Sequence, residues 1–175
     1  YSVDQENIME VILINKNGKV DISGIISSAT ISGEYRSCSR SLNFGFIKSS
    51  IDKNTHTVGI NLGNNIQIIE DGKTLFHGII WDKAKSSDEN EINFLARDFG
   101  IYLNKNKGSY KFKNITPEAI TKKVCGDFGI QVGEIATAGV NISRKYLGVS
   151  LYDIIMSSYT IANDKKYMCI FEGNK

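Results

Sequence analysis

The residues able to do chemistry are few and stand apart from one another. His56 and His77 are the only histidines, and neither has a second ligand or catalytic partner close by in the sequence. A metal site or a general base needs such partners, so a hydrogen-bonded histidine in a core or interface is the better interpretation of His77. Asp88 and Glu89 form a carboxylate pair, but they fall in a predicted turn, where solvated charge is the ordinary role.

The three cysteines, Cys38, Cys125 and Cys169, are odd in number and far apart. They match neither a disulfide framework nor a metal-binding spacing, which suits a reducing cytoplasm. Cys38 lies in the turn SCSRS between Arg36 and Arg40, and such cations can make a thiol reactive. With no histidine nearby, an unreactive thiol on a surface turn is favoured. Cys125 and Cys169 are expected to be small core side chains.

The stretch Lys105 to Lys113 interleaves Tyr110 and Phe112 with lysines, a pattern found in proteins that bind single-stranded nucleic acid. It coincides with the predicted domain junction, so a solvated connector with two docking aromatics is favoured, and a net charge of +2 gives no support for a nucleic-acid partner. No phosphate loop, dinucleotide fingerprint, zinc spacing or nucleophile elbow occurs. The sequence predicts no catalytic residue, no cofactor and no metal, and hence a protein that is not an enzyme.

Composition indicates a folded chain: of 175 residues, 41% are hydrophobic and 23% charged, enough for one large domain or two small ones. No apolar run approaches the roughly 20 residues of a membrane helix, so no membrane segment is expected. The chain begins at Tyr1 rather than Met, and it stops at Lys175 in what looks like a strand. We therefore expect a fragment that is truncated at its C-terminus.

A β-hairpin over residues 66–81 is the strongest structural signal. Asp71-Gly72 separates two β-branched runs and predicts a two-residue turn with Glu70 directly opposite Lys73. This register gives the hairpin two apolar faces, so we expect an interior on one side and a neighbouring element or subunit on the other. The first predicted face holds Ile66, Ile68, Leu75, Ile79 and Trp81, and the second holds Ile69, Phe76 and Ile80.

The hairpin is one part of a predicted α+β fold. Seven or more short strands, with no helix signal before Asp98, predict an antiparallel β-barrel domain over residues 1–103, with Gly78 at a bend or bulge that closes it. A small α/β domain is predicted over 104–175. Thr116-Pro117 and Ser150 are typical of helix starts, and the predicted elements are helices 117–128 and 151–162 and a strand 166–172.

Several longer motifs resemble a known family. They are YKFKNITPEAITKKVCGDFGI at 110–130, SLYDIIM at 150–156, KKYM at 165–168, and the short runs LGN, EDG and FHG at 62–64, 70–72 and 76–78. Together they make the chain similar to the XkdQ/YqbQ family over most of its length, from about Asp21 to Met168. These are tail hub proteins of PBSX-like defective prophages and related contractile tails, including tailocins and other contractile injection systems.

The resemblance implies a baseplate hub similar to the late control protein D group. Such a hub is a structural ring, a homotrimer in its full-length form, that joins the tail tube protein to the central spike and other baseplate proteins. The implied location is a virion or phage-like tail particle assembled in the bacterial cytoplasm. DNA would pass through the lumen without being bound specifically.

Two other functions stay open from the residues alone, a cell-wall-directed peptidoglycan hydrolase and a carbohydrate-binding tail module. The first needs a paired acid and nucleophile or a metal site, and the second needs clustered exposed aromatics. If the chain is a hub, the interface is expected on one hairpin face and on the turn after Tyr35. The candidate interface residues are Tyr35, Arg36, Arg40, Ile69, Phe76 and Ile80.

Overall fold

The chain divides into two units. The first comprises residues 1–32 and 40–98, and the second comprises 33–39 and 99–175, so the chain enters the second unit briefly before returning to the first. The structure is a computed structural model, and the residues that it describes are 9–34, 37–47, 59–85, 91–163 and 165–171.

The first unit is a seven-stranded sheet in the order β2-β1-β5-β6-β7-β4-β3. A single 3-10 turn at Ser23–Ile25 interrupts it. The strands are β1 (Met9–Asn15), β2 (Gly18–Asp21), β3 (Ile26–Gly33), β4 (Arg40–Ile47), β5 (Asn65–Glu70), β6 (Lys73–Lys85) and β7 (Glu91–Asp98).

The predicted barrel is wrong in one respect, because the sheet is not closed. β2 and β3 are its two outer strands, and no ladder joins them among the described residues. Leu13 of β1 and Leu42 of β4 nevertheless belong to one hydrophobic cluster and are both 0% exposed. The sheet therefore curls over its inner face but keeps two edges, since closure would need a further row of backbone hydrogen bonds.

Asp71 and Gly72 form the turn between β5 and β6. Their φ angles are 49° and 74°, and Glu70 stands opposite Lys73. Two positive φ angles are typical of the type I′ turn, whose twist matches that of the strands it joins. Because glycine adopts positive φ without steric cost and aspartate tolerates it, this dipeptide fixes where the hairpin reverses.

The register of the hairpin differs from the prediction two residues beyond the turn. Ile69 pairs with Thr74 but Ile68 pairs with Phe76, so Leu75 is an extra residue in β6. A one-residue shift moves every later side chain to the other face of a sheet. Phe76 and Ile80 therefore join Ile66 and Ile68 in the core, where all four are at most 2% exposed. Each β6 residue after Leu75 that was predicted for one face of the hairpin therefore lies on the other face.

A second bulge follows in the same strand. Ile80 pairs with Ala96 and Asp82 with Leu95, which makes Trp81 the extra residue. The predicted bulge at Gly78 is wrong: that residue lies between the two bulges, where an added Cβ would collide with the carbonyl group of Arg97. Glycine is needed there because the backbone of β7 approaches so closely.

The second unit packs helices on a two-stranded sheet. Its elements are α1 (Gly100–Lys105), β8 (Lys107–Ile115), α2 (Pro117–Asp127), β9 (Ile142–Ser150) and α3 (Leu151–Ala162). The helix starts follow from their caps: Thr116 Oγ1 accepts from the N–H of Ala119, and Ser150 Oγ accepts from the N–H of Asp153. With the sheet in one unit and the longer helices in the other, the predicted α+β class is confirmed.

Three segments of the second unit differ from expectation. Residues 166–171, predicted as part of a strand, have no regular secondary structure, and residue 172 lies outside the described residues. Residues 107–115, expected within a connector, are strand β8, and 142–150 pair with them as β9. Long-range pairing outweighs weak local signals in such strands. Relative to the predicted domains 1–103 and 104–175, α1 and residues 33–39 belong to the second unit.

The bulge at Leu75 is tested by comparing two alanine substitutions. Phe76→Ala removes a ring that is 0% exposed and should lower the free energy of unfolding by about 3–5 kcal/mol. Leu75→Ala, at a partly exposed position, should cost less than half of that. Urea unfolding of both variants measures the difference, and equal losses would contradict the register.

Candidate assembly surfaces

The outer face of the first unit's sheet carries many apolar side chains. Trp81 is 48% exposed and Leu62, just before the sheet strand β5, is 58% exposed. Contiguous exposed apolar area on a folded protein is typical of a contact with another protein. The strand residues on this face are Ile12, Ile14, Ile69, Ile79 and Leu95, all of them partly buried.

His77 lies on this outer face, paired with Gln67 across β5 and β6. Burial lowers the pKa of its imidazole, and the nearby charge of Lys19 lowers it further. Both effects favour the neutral ring at pH 7. His77 is partly buried, and its role as a hydrogen-bonded core or interface histidine stays a prediction. His56, Asp88 and Glu89 lie outside the described residues.

Arg40, a candidate interface residue, contributes to the internal structure of the first unit. Its Nε lies 3.1 Å from Oδ2 of Asp98, whose side chain is 0% exposed. Its Nη1 donates a 3.1 Å hydrogen bond to the carbonyl oxygen of Leu75, and its guanidinium carbon lies 5.9 Å from the ring centre of Phe76. Arg40 thus neutralises a buried carboxylate and also holds the backbone of the bulge residue.

The other candidate interface residues lie in different environments. Phe76 and Ile80 are 0% and 1% exposed within the core, so their proposal as surface contacts is corrected. Ile69 lies on the outer face and is partly exposed, so it stays a candidate. Tyr35 and Arg36 lie outside the described residues. The error comes from the bulge at Leu75, which turned Phe76 and Ile80 inward.

The prediction that Cys38 lies on a surface turn is wrong, because the residue lies in the core of the second unit. It is 1% exposed, and its thiol lies 3.3 Å from the carbonyl oxygen of Gly100 and 3.4 Å from Oδ1 of Asn104. Asn104 also donates to the hydroxyl of Ser37 at 3.1 Å. These contacts fasten residues 37–39 into the second unit. A thiol buried in this way is unreactive towards reagents in solvent.

The aromatic pair of β8 faces the core. Phe112 is 6% exposed and stacks on Tyr110 with ring centres 5.3 Å apart. Burial raises the pKa of Tyr110 to about 12, assisted by the hydrogen bond of its hydroxyl to Asp127 at 3.1 Å. Neither ring is presented for stacking on a base, so these residues do not form a platform for single-stranded nucleic acid.

The second unit contains an apolar cleft of about 150 Å³ beside α2 and α3. Ligand pockets usually have roughly 300–1,000 Å³, so this cleft is small for a cofactor. Cys125 and Cys169 are among the lining residues, and burial raises the pKa of the Cys125 thiol to about 11. The cleft therefore presents a neutral thiol among mostly apolar side chains, and Glu134 is the one charged residue of its lining.

Within the described ranges, no group of three His, Cys, Asp or Glu side chains is placed to hold a metal ion. None of the helices described is long and apolar enough to cross a membrane.

Comparison with known proteins identifies the family of the chain. The sequence pattern of a family described as YQBQ-like matches residues 29–175. The chain belongs to the YQBQ-like family. The resemblance noted in the motifs is thereby confirmed. No protein of curated function matches this YQBQ-like chain.

Two tail proteins are among the solved structures that share the fold. One is the 43 kDa tail protein of prophage MuSo2 from Shewanella oneidensis, with a TM-score of 0.61 and 18% identity over 89% of the YQBQ-like chain. The other is a tail protein from Neisseria meningitidis MC58, with a TM-score of 0.60 and 14% identity over 86% of the chain. The matched parts are 51% and 44% of those proteins, so the chain spans about half of their length.

Sequence reasoning missed the group formed by Arg40, Asp98 and Leu75. Arg40 and Asp98 are 58 residues apart, and no local pattern links them. Asp98 also ends an alternating strand, where a charged residue ordinarily marks the approach of a turn. A buried carboxylate becomes recognisable only when its counter-ion is seen beside it.

Removing the guanidinium of Arg40 should destabilise the first unit strongly. Arg40→Met leaves the carboxylate of Asp98 buried without this counter-ion, and breaking such a pair costs about 3 kcal/mol or more. Arg97→Met, a partly buried arginine in the adjacent strand, is the matched control and should cost under about 1 kcal/mol. Urea unfolding at pH 7 gives both values, and similar losses would refute the role of Arg40.

His77 should make stability depend on pH just below neutrality. Its folded-state pKa is lowered, so the unfolded chain binds a proton first and stability falls as pH drops below the unfolded value of 6.5. Chemical unfolding is measured at pH 7.5 and at pH 5.5. Between these two values, the free energy of unfolding should fall less for His77→Gln than for the unchanged protein. Because other groups titrate equally in both, an identical loss would show that His77 is not shifted.

Proposed function

We propose that this chain is a structural part of a contractile phage-like tail, a baseplate hub that joins the tail tube to the central spike. Membership of the YQBQ-like family and the shared fold of two proteins named as tail proteins support the tail role. The observation that carries the proposal is the sheet with apolar side chains on both faces. A part of an assembly needs one such face for its own core and the other for its neighbours.

The outer face would be the contact surface. Trp81 is the chain's only tryptophan, it is 48% exposed, and it sits at a bulge, where a strand presents its side chain outward. Tryptophan is the residue most enriched among strong contributors to protein interfaces. Ile69, Ile79 and Leu95 would surround it with further apolar area.

In this function the protein acts without catalysis and without a cofactor. Its partners would be the tail tube protein, the spike and other baseplate proteins, and the full-length protein would form a homotrimer in the tail particle. DNA would pass through the ring lumen. The full-length protein should therefore have three times the monomer mass by light scattering.

Incorporation into tail particles tests the hub function directly. Trp81→Ser should remove most of the protein from purified particles, because the contact loses its largest apolar anchor, while the folding of the variant is retained. Ile161→Ser is the matched control: Ile161 is 45% exposed on α3, outside the proposed contact, and its loss should leave incorporation unchanged.

Trp81 also supplies a spectroscopic measurement. As the single tryptophan, it alone gives indole fluorescence, and its emission should shift to shorter wavelength when a neighbour covers the outer face. The tryptophan of the chain is replaced by 5-hydroxytryptophan, which can be excited selectively, so that tryptophans of other particle proteins do not contribute. Its emission in assembled particles is then compared with that in the isolated chain. Normal incorporation of Trp81→Ser together with an unshifted emission would refute the contact surface, and absence of the unchanged protein from particles would refute the tail function.

A further inference from the structure

The two units carry opposite net charge. The first holds nine Lys or Arg and twelve Asp or Glu, whereas the second holds twelve basic and seven acidic residues. The overall charge of +2 conceals this division. Separated charge of opposite sign favours attraction between the unlike parts of two molecules.

The positive charge of the second unit is concentrated on the β8–β9 hairpin. Its two strands contain five Lys or Arg and no Asp or Glu. Neither of the two ion pairs found among the described residues involves these cations. We define the basic surface as the exposed residues Lys111, Lys113, Lys145 and Leu147, which alternate with the inward-facing Phe112 and Tyr146.

The arrangement of the basic surface is unfavourable for an isolated chain. Lys111 stands directly opposite Lys145, and like charges at such a cross-strand pair destabilise a sheet. A local feature that costs stability and has no structural compensation is expected at functional sites. An anionic partner would remove the repulsion.

The partner that fits is a protein. Leu147 lies among the cations and is 68% exposed, the highest value of any large apolar side chain described. The phosphate backbone of a nucleic acid offers no apolar group that such a side chain would contact. Tyr110 and Phe112 face inward, so no aromatic is available to stack on bases. The basic surface therefore fits a protein partner that presents acidic side chains beside an apolar side chain.

The first unit presents that combination at the tip of the β5–β6 hairpin. Glu10 and Asp71 are exposed there, and Glu70 is partly exposed. Met9, directly opposite Glu70 across the ladder, is 45% exposed. We define Glu10, Asp71 and Met9 as the acidic surface and leave out Glu70, because Lys73 stands directly opposite it. This surface offers two carboxylates beside one exposed apolar side chain.

We propose that the basic surface of one copy binds the acidic surface of a second copy. This deepens the proposed hub function, on which it rests, by naming surfaces through which copies meet. The contact is heterologous, because different surfaces of the two copies are used, so each copy keeps one surface open for a further neighbour. Such a contact can be repeated from copy to copy, as a ring requires.

A charge exchange between two variants tests the contact. Lys111→Glu/Lys145→Glu changes the formal charge of the basic surface from +3 to −1, and Glu10→Lys/Asp71→Asn changes that of the acidic surface from −2 to +1. Each double variant alone should self-associate at least about 10-fold more weakly than the unchanged chain in sedimentation velocity at 50 mM NaCl. An equimolar mixture of the two should recover association to within about threefold, because the exchanged surfaces again attract.

Salt and a matched variant supply the controls. Self-association of the unchanged chain should weaken about 10-fold or more from 50 to 300 mM NaCl, because surface charges are screened. Lys122→Glu/Lys165→Glu alters the net charge by the same amount at exposed positions outside the hairpin and should retain more than half of the association. Thermal unfolding of each variant verifies folding before association is measured.

The outcomes separate this inference from the hub function. Failure of the mixture to recover association, or no self-association of the unchanged chain at low salt, would overturn the copy-to-copy contact. Binding of a duplex DNA probe that Lys111→Glu/Lys145→Glu abolishes, with no self-association, would overturn it in favour of a nucleic-acid surface. The hub function is judged independently, by incorporation of the unchanged protein into particles.

Discussion

The contact of Arg40 with Asp98 and with the carbonyl of Leu75 is the interaction on which the first unit depends. Asp98 is fully buried at the end of β7, and Arg40 begins β4, so the pair joins two neighbouring strands. The second hydrogen bond of Arg40 satisfies the backbone of the extra residue in β6. Since a bulge leaves backbone groups outside the regular ladder, a charged donor at this point stabilises the bulge where it is.

The position of the bulge decides what the sheet offers to its surroundings. Phe76 and Ile80 enter the core because Leu75 takes an extra place in the strand, and the second bulge at Trp81 leaves that ring half exposed. The inner face stabilises the unit, and the outer face keeps apolar area for a neighbour. A structural part of a tail, the function proposed for this chain, would need both, and one strand with two bulges provides them.

The chain passes between the two units more than once. Residues 33–39 leave the sheet, place Cys38 in the core of the second unit, and return to β4 at Arg40. Three passages of the chain therefore join the units. The two units also carry opposite net charge. In the proposed contact between copies, this difference would set which surface of one copy meets which surface of the next.

The sequence determined those features that follow from local chemistry. The Asp71-Gly72 turn, the caps at Thr116 and Ser150, the α+β class and the family motifs are all set by a few neighbouring residues. The apolar character of both hairpin faces was also evident, because alternation along a strand is a local property.

Tertiary structure decided the rest. The register beyond Leu75 depends on Arg40 and Asp98, which are far from it in sequence, and an extra residue in a strand has no local signature. The local signal for strands β8 and β9 was weak, but both form because each supplies the hydrogen-bond partners of the other. Residues 166–171 have strand-like composition but form no ladder among the described residues. Composition shows that a segment can form a strand, but only a partner brought close by the fold completes its backbone hydrogen bonds.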